Sequence, residues 1–398
     1  MRNPALDRRR LLVTGLGLAL CPATSLARGK REGGAPVLVL VQLAGGNDGL
    51  STVVPWADDA YHAARRSTRR RSDEVLKLDE YRGLHSDLLG LHRRFQDGKL
   101  AIVEGVGYPG PNRSHFKSYE IWHTANERGR NSGDGWIGRL CAAAFGDDVH
   151  ANRVVHLGTE VPYSLHSAEH PAAAFTSPAG YRWVKHDEEL ARVESAEETG
   201  EPSENAALAL LRERMRDARA SSAALRAAVA RYRTPVEYAS DPFSESLLAA
   251  AAVLHGDIGT RVLSLELGGF DTHNDERSRH DALMRTLDRG LASFLDDLER
   301  SDAGRQAIVL VFSEFGRRVA ENGSRGTDHG TAGPMLVAGS RVRGGLYGEH
   351  PSLTDLDQGD LVHGTDFRSV YAAAIEACFD LPARTVLGKD YPALGLIG

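Results

Sequence analysis

Five short, mostly apolar runs rich in branched side chains are the feature that most constrains the fold of this 398-residue chain. Each run is bordered by a loop rich in glycine or polar residues, a pattern typical of strands buried on both faces of a sheet. The runs are Val37–Val41, Leu100–Val103, Val262–Leu267, Ala307–Phe312 and Met335–Ala338.

Helical patterns lie between these predicted strands. One apolar stripe, with spacings of three and four residues, consists of Leu283, Leu287, Leu291, Phe294 and Leu298. A second stripe near the end of the chain consists of Phe367, Val370, Tyr371, Ala374 and Cys378. Strands that alternate with amphipathic helices predict an α/β fold, a three-layer sandwich with a mainly parallel central sheet.

The length and composition are compatible with a single large core, since 41% of the residues are hydrophobic. We therefore expect residues 28–398 to form one α/β domain. Glu-rich sequence followed by an Ala- and Arg-rich segment predicts a helical insertion at about residues 187–255, covering one side of that core.

The first 27 residues have the order of features found in an export signal. Paired arginines at Arg8 and Arg9 precede an apolar run to Leu20 and a small-residue site at Ser25–Ala27. We predict a twin-arginine-type signal peptide over residues 1–27 and a periplasmic or otherwise exported protein. The alternatives are a frayed basic helix and a lipid-modified Cys21. No run is long enough to predict a membrane span.

The net charge of −6 argues against nucleic acid as a partner, because no basic field is available to hold a phosphate backbone. The basic run from Arg65 to Arg71 is interpreted as a solvated face, with anion binding as the alternative. Cys141 and Cys378 are far apart in sequence, so their pairing stays open. The oligomeric state stays open as well.

Acidic and imidazole side chains collect in the loops beside the predicted strands. They are Asp48, Asp271, His273, Glu314, Asp328 and His329. Loops at the carboxyl ends of parallel strands share one edge of the sheet, so these side chains can converge on a divalent cation. Carboxylate and imidazole ligands together favour zinc or manganese, as one or two ions.

Each of these residues also has an ordinary structural interpretation. Asp48 can be a turn residue, His273 a helix cap, and Glu314 an ion-pair partner of Arg317 or Arg318. Ser114 follows a loop rich in glycine and proline and precedes a predicted helix. It is the candidate nucleophile, with an ordinary helix N-cap as the alternative.

Seven ordered motifs resemble the bacterial exported family called domain of unknown function 1501. They span nearly all of residues 28–398. The motifs are LAGGNDGL from Leu43, RSHF from Arg113, GWIGR from Gly135, GFDTH from Gly269, SEFGR from Ser313, GTDHG from Gly326 and TDFR from Thr365.

That family in turn resembles the alkaline phosphatase-like superfamily, and this resemblance implies an alkaline phosphatase-like core with metals above a parallel sheet. It implies that Asp48 is a metal ligand, that Ser114 is the nucleophile, and that His329 is the last histidine of the metal shell. Glu314 would replace an aspartate of the superfamily's Asp-His pair, and Asp271 with His273 would approximate its mid-chain Asp and His. Phe315 stands where the pair has its histidine, which puts one metal site in doubt. No Cys-x-Pro-x-Arg motif is present in the predicted mature chain.

Three functions are compatible with these features. The first is a metal-dependent hydrolase that acts on a small anionic substrate, a phosphate or related ester. The second is a non-catalytic binding or assembly protein of the cell envelope, whose partner would be an envelope protein, and Phe315 favours it. The third is a sulfate-ester hydrolase that works without formylglycine.

Overall fold

A nine-stranded sheet forms the centre of the protein in this computed structural model, which describes residues 34–127, 133–176 and 206–398. The predicted signal peptide and residues 187–205 of the predicted insertion lie outside the described residues. In chain order the strands of this sheet are β1 (Val37–Leu43), β5 (Leu100–Gly107), β6 (Val154–Leu157), β7 (Ala173–Phe175), β8 (Val262–Leu267), β9 (Ala307–Phe312), β12 (Gly333–Ala338), β13 (Gly345–Tyr347) and β16 (Thr365–Asp366).

The order across the sheet is β13-β5-β12-β9-β1-β8-β6-β7, and β16 also pairs with β5. Central strand β1 runs parallel to both neighbours, with Val39 opposite Leu263 on one side and Val309 on the other. Among the described strands of this sheet, β12 alone runs against the rest, since it is antiparallel to both β9 and β5. The predicted mainly parallel sheet is confirmed.

Helices cover both faces of the sheet. They are α1 (Gly49–Thr52), α2 (Asp59–Ala64), α3 (Leu89–Gln96), α4 (His115–Thr124), α5 (Trp136–Phe145), α6 (Ala206–Arg231), α7 (Pro242–His255), α8 (Glu276–Leu298), α9 (Asp302–Arg305), α10 (Phe367–Phe379) and α11 (Arg384–Leu387), with a short 3-10 turn at Tyr163–Leu165. None of the described helices combines the length and apolar character that crossing a membrane requires.

Alternation along β1 separates two cores, because successive side chains of a strand point to opposite faces. Val37, Val39 and Val41 pack with α3, α7 and α8 on one face. Leu38 and Leu40 pack with α4, α5 and α10 on the other. This arrangement confirms the predicted three layers, and both predicted apolar stripes face the sheet.

Small accessory strands extend from one edge of the layers. Strands β2 (Val53–Val54), β3 (Val75–Lys77) and β4 (Gly83–His85) form one antiparallel sheet. Two hairpins follow, β10 (Arg317–Glu321) with β11 (Thr327–His329), and β14 (Leu356–Asp357) with β15 (Asp360–Leu361). The β10–β11 hairpin matters for the site because its register places Arg317 opposite His329.

The two remaining cysteines are both buried free thiols. Cys141 lies in α5 and Cys378 in α10, and they belong to the same apolar core. The sequence left open whether Cys141 and Cys378 form a disulfide, and these two described residues do not.

Candidate metal centre

Five segments bring polar side chains to one edge of the central sheet. The loops after β1, β8 and β9 leave from the carboxyl ends of parallel strands, and α4 begins after β5. Strand β12 runs the opposite way, so the hairpin that precedes it also reaches this edge. This placement is where open α/β sheets hold their ligands.

Three imidazoles surround one carboxylate oxygen at this edge. Oδ1 of Asp271 lies 3.0 Å from Nε2 of His329, 3.0 Å from Nε2 of His273 and 3.7 Å from Nε2 of His115. The Nε2 atoms of His273 and His329 are 3.0 Å apart. We call these four residues the His3Asp cluster.

Each histidine of the cluster has its other nitrogen held by an acceptor. Nδ1 of His115 lies 2.7 Å from Glu314 and Nδ1 of His273 lies 3.3 Å from Asp328. Nδ1 of His329 lies 2.8 Å from the backbone carbonyl of Arg113. A carbonyl or an ionised carboxylate only accepts hydrogen bonds, so the proton of each neutral imidazole belongs on Nδ1. All three Nε2 lone pairs are then left to face the cluster.

This donor set fits a metal ion. The Nε2 lone pairs of His273 and His329, which face each other at 3.0 Å, repel unless a positive charge lies between them. Ligands of a tetrahedral zinc ion with bonds near 2.1 Å are themselves separated by about 3.4 Å. Orientation of ligating histidines by carboxylates and carbonyls through Nδ1 is the usual arrangement around such ions.

The cluster is open on one side. The side chain of Asp271 is 51% exposed and that of His273 is 41% exposed, whereas Glu314 behind His115 is fully buried. Ligand atoms are thus accessible from solvent, while the residue that orients His115 is not. The open side of the cluster therefore faces solvent.

Arg317 supplies a fixed positive charge beside Asp271. Its side chain is fully buried, and its Nη2 lies 2.7 Å from Oδ1 of Asp271. Its other hydrogen bonds go to the backbone carbonyls of Gly45, Gly46, Phe270 and Thr327. Burial opposes ionisation of Asp271, but the hydrogen bond and charge of Arg317 outweigh it and lower the pKa of Asp271 to about 2. Asp271 is thus ionised at neutral pH.

The pKa values of two cluster histidines shift in opposite directions. The hydrogen bond to Glu314 raises the pKa of His115, with burial acting against it. Burial lowers the pKa of His329, opposed by its hydrogen bond to Asp271. Burial alone would raise the pKa of Glu314, but its bonds to His115 and Gly45 lower it, so Glu314 is an anion.

Phe315 packs against two of the imidazoles, those of His115 and His329. Its ring centroid lies 4.8 Å from that of His115 and 4.7 Å from that of His329. A Cβ atom at Gly46, whose φ is +77°, would collide with the Phe315 ring. Glycine is therefore required at position 46 both by the left-handed backbone and by this close approach.

Asp48 lies outside the His3Asp cluster, which corrects its expected role as a metal ligand. Both of its oxygens bond the guanidinium of Arg65, and both residues are fully buried. Oδ1 also accepts from the amide of Leu50, which caps α1. Because this pairing consumes the carboxylate, Asp48 acts as the capping turn residue that the sequence left as its alternative.

The same contact corrects part of the interpretation of the basic run. Arg66, Arg69 and Arg71 are exposed as expected. Arg65 and Arg70 are instead buried, and Arg70 pairs with Asp281 on α8. Two of the five arginines of this run are therefore structural, because they point inward towards acidic partners.

Ser114 stands at the N-terminus of α4, directly before His115. Its side chain is exposed and makes no capping hydrogen bond to the described backbone of the helix, while its amide donates to Oδ1 of Asn112. The hydroxyl is thus accessible at the positive end of a ten-residue helix.

Of the six predicted ligands, Asp271, His273 and His329 lie in the cluster. Glu314 and Asp328 lie one step behind it, each bonded to a histidine. Sequence reasoning missed His115 as a member of the cluster and Arg317 as the partner of Asp271. The signal for His115 was its place in the RSHF motif, immediately after Ser114.

Comparison with solved structures finds proteins that are similar at low sequence identity. The C-terminal periplasmic domain of EcEptC from Escherichia coli is 11% identical, with 92% of this chain and 90% of that chain covered and a TM-score of 0.43. A protein of the alkaline phosphatase superfamily from Vibrio parahaemolyticus is 9% identical, with 91% and 68% covered and a TM-score of 0.40. The lipoteichoic acid synthase LtaP from Listeria monocytogenes is 8% identical, with 78% and 67% covered and a TM-score of 0.38.

Among curated proteins, none matches the sequence significantly. The family described as "Protein of unknown function (DUF1501)" matches residues 101–376, a range that contains the whole His3Asp cluster. The resemblance indicated by the sequence motifs is confirmed, and the chain belongs to the DUF1501 family.

Proposed function

We propose that the protein is an exported metal-dependent hydrolase of phosphate or related esters and that the His3Asp cluster is its metal centre. One observation carries the proposal: three Nε2 atoms and Oδ1 of Asp271 converge while every Nδ1 is held by an acceptor. Such orientation is costly to build without a cation to bind, because the inward-facing lone pairs repel.

The donor set supports zinc or manganese. Three imidazoles and one carboxylate match the ligands that these ions take in proteins, whereas calcium and magnesium prefer more oxygen ligands. When bound, a divalent cation supplies a Lewis acid that stabilises the charge developing on a transferred phosphoryl group.

The nucleophile, the anion-binding group and the positioning residues of this proposal lie at the same edge of the sheet. Ser114 presents an accessible hydroxyl beside His115, which suits a nucleophile. The N-terminus of α4 favours an anionic group next to that hydroxyl. Arg317 and Glu314 are buried and do not reach substrate, so they keep Asp271 and His115 in place.

The test is a metal measurement followed by an activity panel. We expect protein purified without added metal to carry zinc or manganese, and to hydrolyse p-nitrophenyl phosphate or a p-nitrophenyl phosphodiester. His329→Ala should lose both metal and activity. Ser114→Ala should keep the metal and lose activity. His92→Ala is the matched control, because His92 bonds the carbonyl of Lys77 in another part of the protein.

Two other outcomes identify the remaining functions. Cleavage of p-nitrophenyl sulfate alone would favour a sulfate-ester hydrolase. Metal-free, folded and inactive protein would contradict the proposal and favour a non-catalytic envelope protein, for which Phe315 is the supporting feature. That second function predicts capture of a specific envelope protein by wild type and by His329→Ala equally.

Export is tested separately from chemistry. We propose that residues 1–27 are a twin-arginine-type signal, and we expect Arg8→Lys with Arg9→Lys to leave the protein in the cytoplasm. Cell fractionation of a bacterial host compares this double variant with the wild type. Equal periplasmic amounts of the two proteins would contradict this route.

A further inference from the structure

We propose that the His3Asp cluster binds a single divalent cation, because fixed arginines and an apolar ring occupy the groups that a second cation would need. This inference rests on the proposed function and deepens it, since a phosphoryl-transfer site with two ions and one with a single ion differ in where their positive charge comes from. Four observations at the sheet edge support it.

The first observation concerns Asp48, the carboxylate at the end of the central strand. Arg65 bonds both of its oxygens, and the hydroxyl of Ser51 lies 3.1 Å from Oδ2. A cation that displaced Arg65 from Asp48 would leave the buried guanidinium without its counter-charge. The same guanidinium also donates to the carbonyls of Arg318 and Val319, which hold it in place. A buried charge left without its partner is strongly destabilising.

The second observation concerns Glu314, the buried carboxylate nearest the cluster. Its Oε1 accepts from Nδ1 of His115 at 2.7 Å and from the amide of Gly45 at 2.9 Å. Its Oε2 lies 3.0 Å from the hydroxyl of Ser313, and the side chain of Tyr119 also hydrogen-bonds this carboxylate. Both oxygens are therefore engaged, and the carboxylate is committed to orienting a ligand instead of being one.

The third observation is Arg317 itself. Its side chain is fully buried and bonds Asp271 together with carbonyls from three different segments. Its charge lies beside the one cluster carboxylate and offsets part of the negative charge that would attract a second cation. Since none of its side chain is exposed, Arg317 is a positioning residue and does not contact substrate.

The fourth observation is Phe315, which is 3% exposed and packs against the rings of His115 and His329. An aromatic ring offers no lone pair for a hard or borderline cation. The position on the Glu314 side of the cluster is thus filled by apolar atoms. Among the described residues at this edge of the sheet, the four observations leave the His3Asp cluster as the donor set open to a cation.

The experiment counts ions in the intact protein. Metal-free protein is titrated with Mn²⁺ while electron paramagnetic resonance follows the free ion, and zinc-loaded protein is analysed by mass spectrometry for metal content. We expect an endpoint at one equivalent per chain and a spectrum without coupling between two manganese ions. His329→Gln should lose this equivalent, with circular dichroism showing that the variant is folded.

The outcomes separate the two proposals. Two equivalents per chain, or one equivalent that persists in His329→Gln, would overturn the single-ion inference and leave a metal-dependent function standing. No bound ion in folded wild-type protein would overturn the proposed function and the inference with it. Asp48→Asn adds an independent check, because it should keep one equivalent where a two-ion site using Asp48 would lose one. If Asp48→Asn does not fold, the wild-type count decides alone.

Discussion

Nδ1 of His115 lies 2.7 Å from Oε1 of Glu314, a residue 199 positions further along the chain. This contact joins the start of α4 to the loop after β9 and directs Nε2 of His115 towards Asp271. Glu314 is fully buried and His115 is 26% exposed, so the pair points from the protein interior to solvent.

Replacing Glu314 with glutamine should weaken metal binding. Loss of a residue that orients a ligating histidine typically costs 10–100-fold in affinity, and the retained amide oxygen places this variant near the lower end, about 10-fold. Competition with a fluorescent chelator measures the zinc affinity. Asp328→Asn is the matched variant for His273 and should have a smaller effect, because Asp328 is 56% exposed and solvent can replace it. An unchanged affinity in Glu314→Gln would contradict the assigned role.

Metal affinity should fall on acidification, and His115 should set where the fall begins. Only the neutral imidazole binds a cation, and the hydrogen bond to Glu314 raises the pKa of His115 above its usual value. Protons therefore compete at a higher pH than at an ordinary histidine. In Glu314→Gln the pKa of His115 drops, so the midpoint of the loss should move to lower pH. Affinity titrations between about pH 5 and 8 check the direction of this shift; a midpoint that stays in place would contradict it.

The buried carboxyl groups of Asp48 and Glu276 should respond differently when each is replaced by its uncharged amide. Asp48→Asn leaves Arg65 buried without a counter-charge, so unfolding free energy should fall by about 3–5 kcal/mol. Glu276→Gln should cost no more than about 1 kcal/mol, since burial and the charge of Asp48 raise the pKa of Glu276 and keep it neutral. Urea denaturation at neutral pH measures both. Equal losses of unfolding free energy in the two variants would contradict the assignment of Asp48 as ionised and Glu276 as neutral.

The pH dependence of stability distinguishes the two carboxyls further. Burial opposes the charge of Asp48, but Arg65 outweighs burial and lowers its pKa, so its contribution exists at neutral pH and is lost as pH falls through that lowered pKa. The contribution of Glu276 to stability has the opposite dependence on pH. Its raised pKa means that stability declines as pH rises above the usual value for a glutamate. Glu276→Gln should remove that decline, which urea titrations at several pH values would detect.

Both described cysteines should be unreactive in the folded protein. Burial raises the pKa of Cys141 to about 12 and that of Cys378 to about 12, which leaves very little thiolate at neutral pH. Iodoacetamide should label neither residue in native protein and both after denaturation, as assigned by peptide mass spectrometry. Labelling of either peptide under native conditions would contradict the packing, and a mass showing a Cys141–Cys378 disulfide would contradict the free thiols.

The sequence was sufficient for the fold class and for the edge that carries the site. The five apolar runs predicted β1, β5, β8, β9 and β12, and two of them, Val262–Leu267 and Ala307–Phe312, match the observed strands at both ends. Hydrophobic periodicity is a local property, and it determines which face of a strand or helix is buried. Gathering of loops at the carboxyl ends then follows from parallel pairing.

Only the tertiary structure decided which polar residues meet. Asp48 and His115 illustrate the difference, since the sequence favoured the first as a ligand and the structure places the second in the cluster. Arg65, 17 residues from Asp48, neutralises its charge, whereas Glu314 and Asp271 reach His115 from much further along the chain. Such pairings depend on strand register and on helix placement across the sheet, and no local pattern of residues encodes them. The sequence thus predicted which residue types lie at this edge of the sheet, whereas the identity of the clustered side chains required the folded contacts.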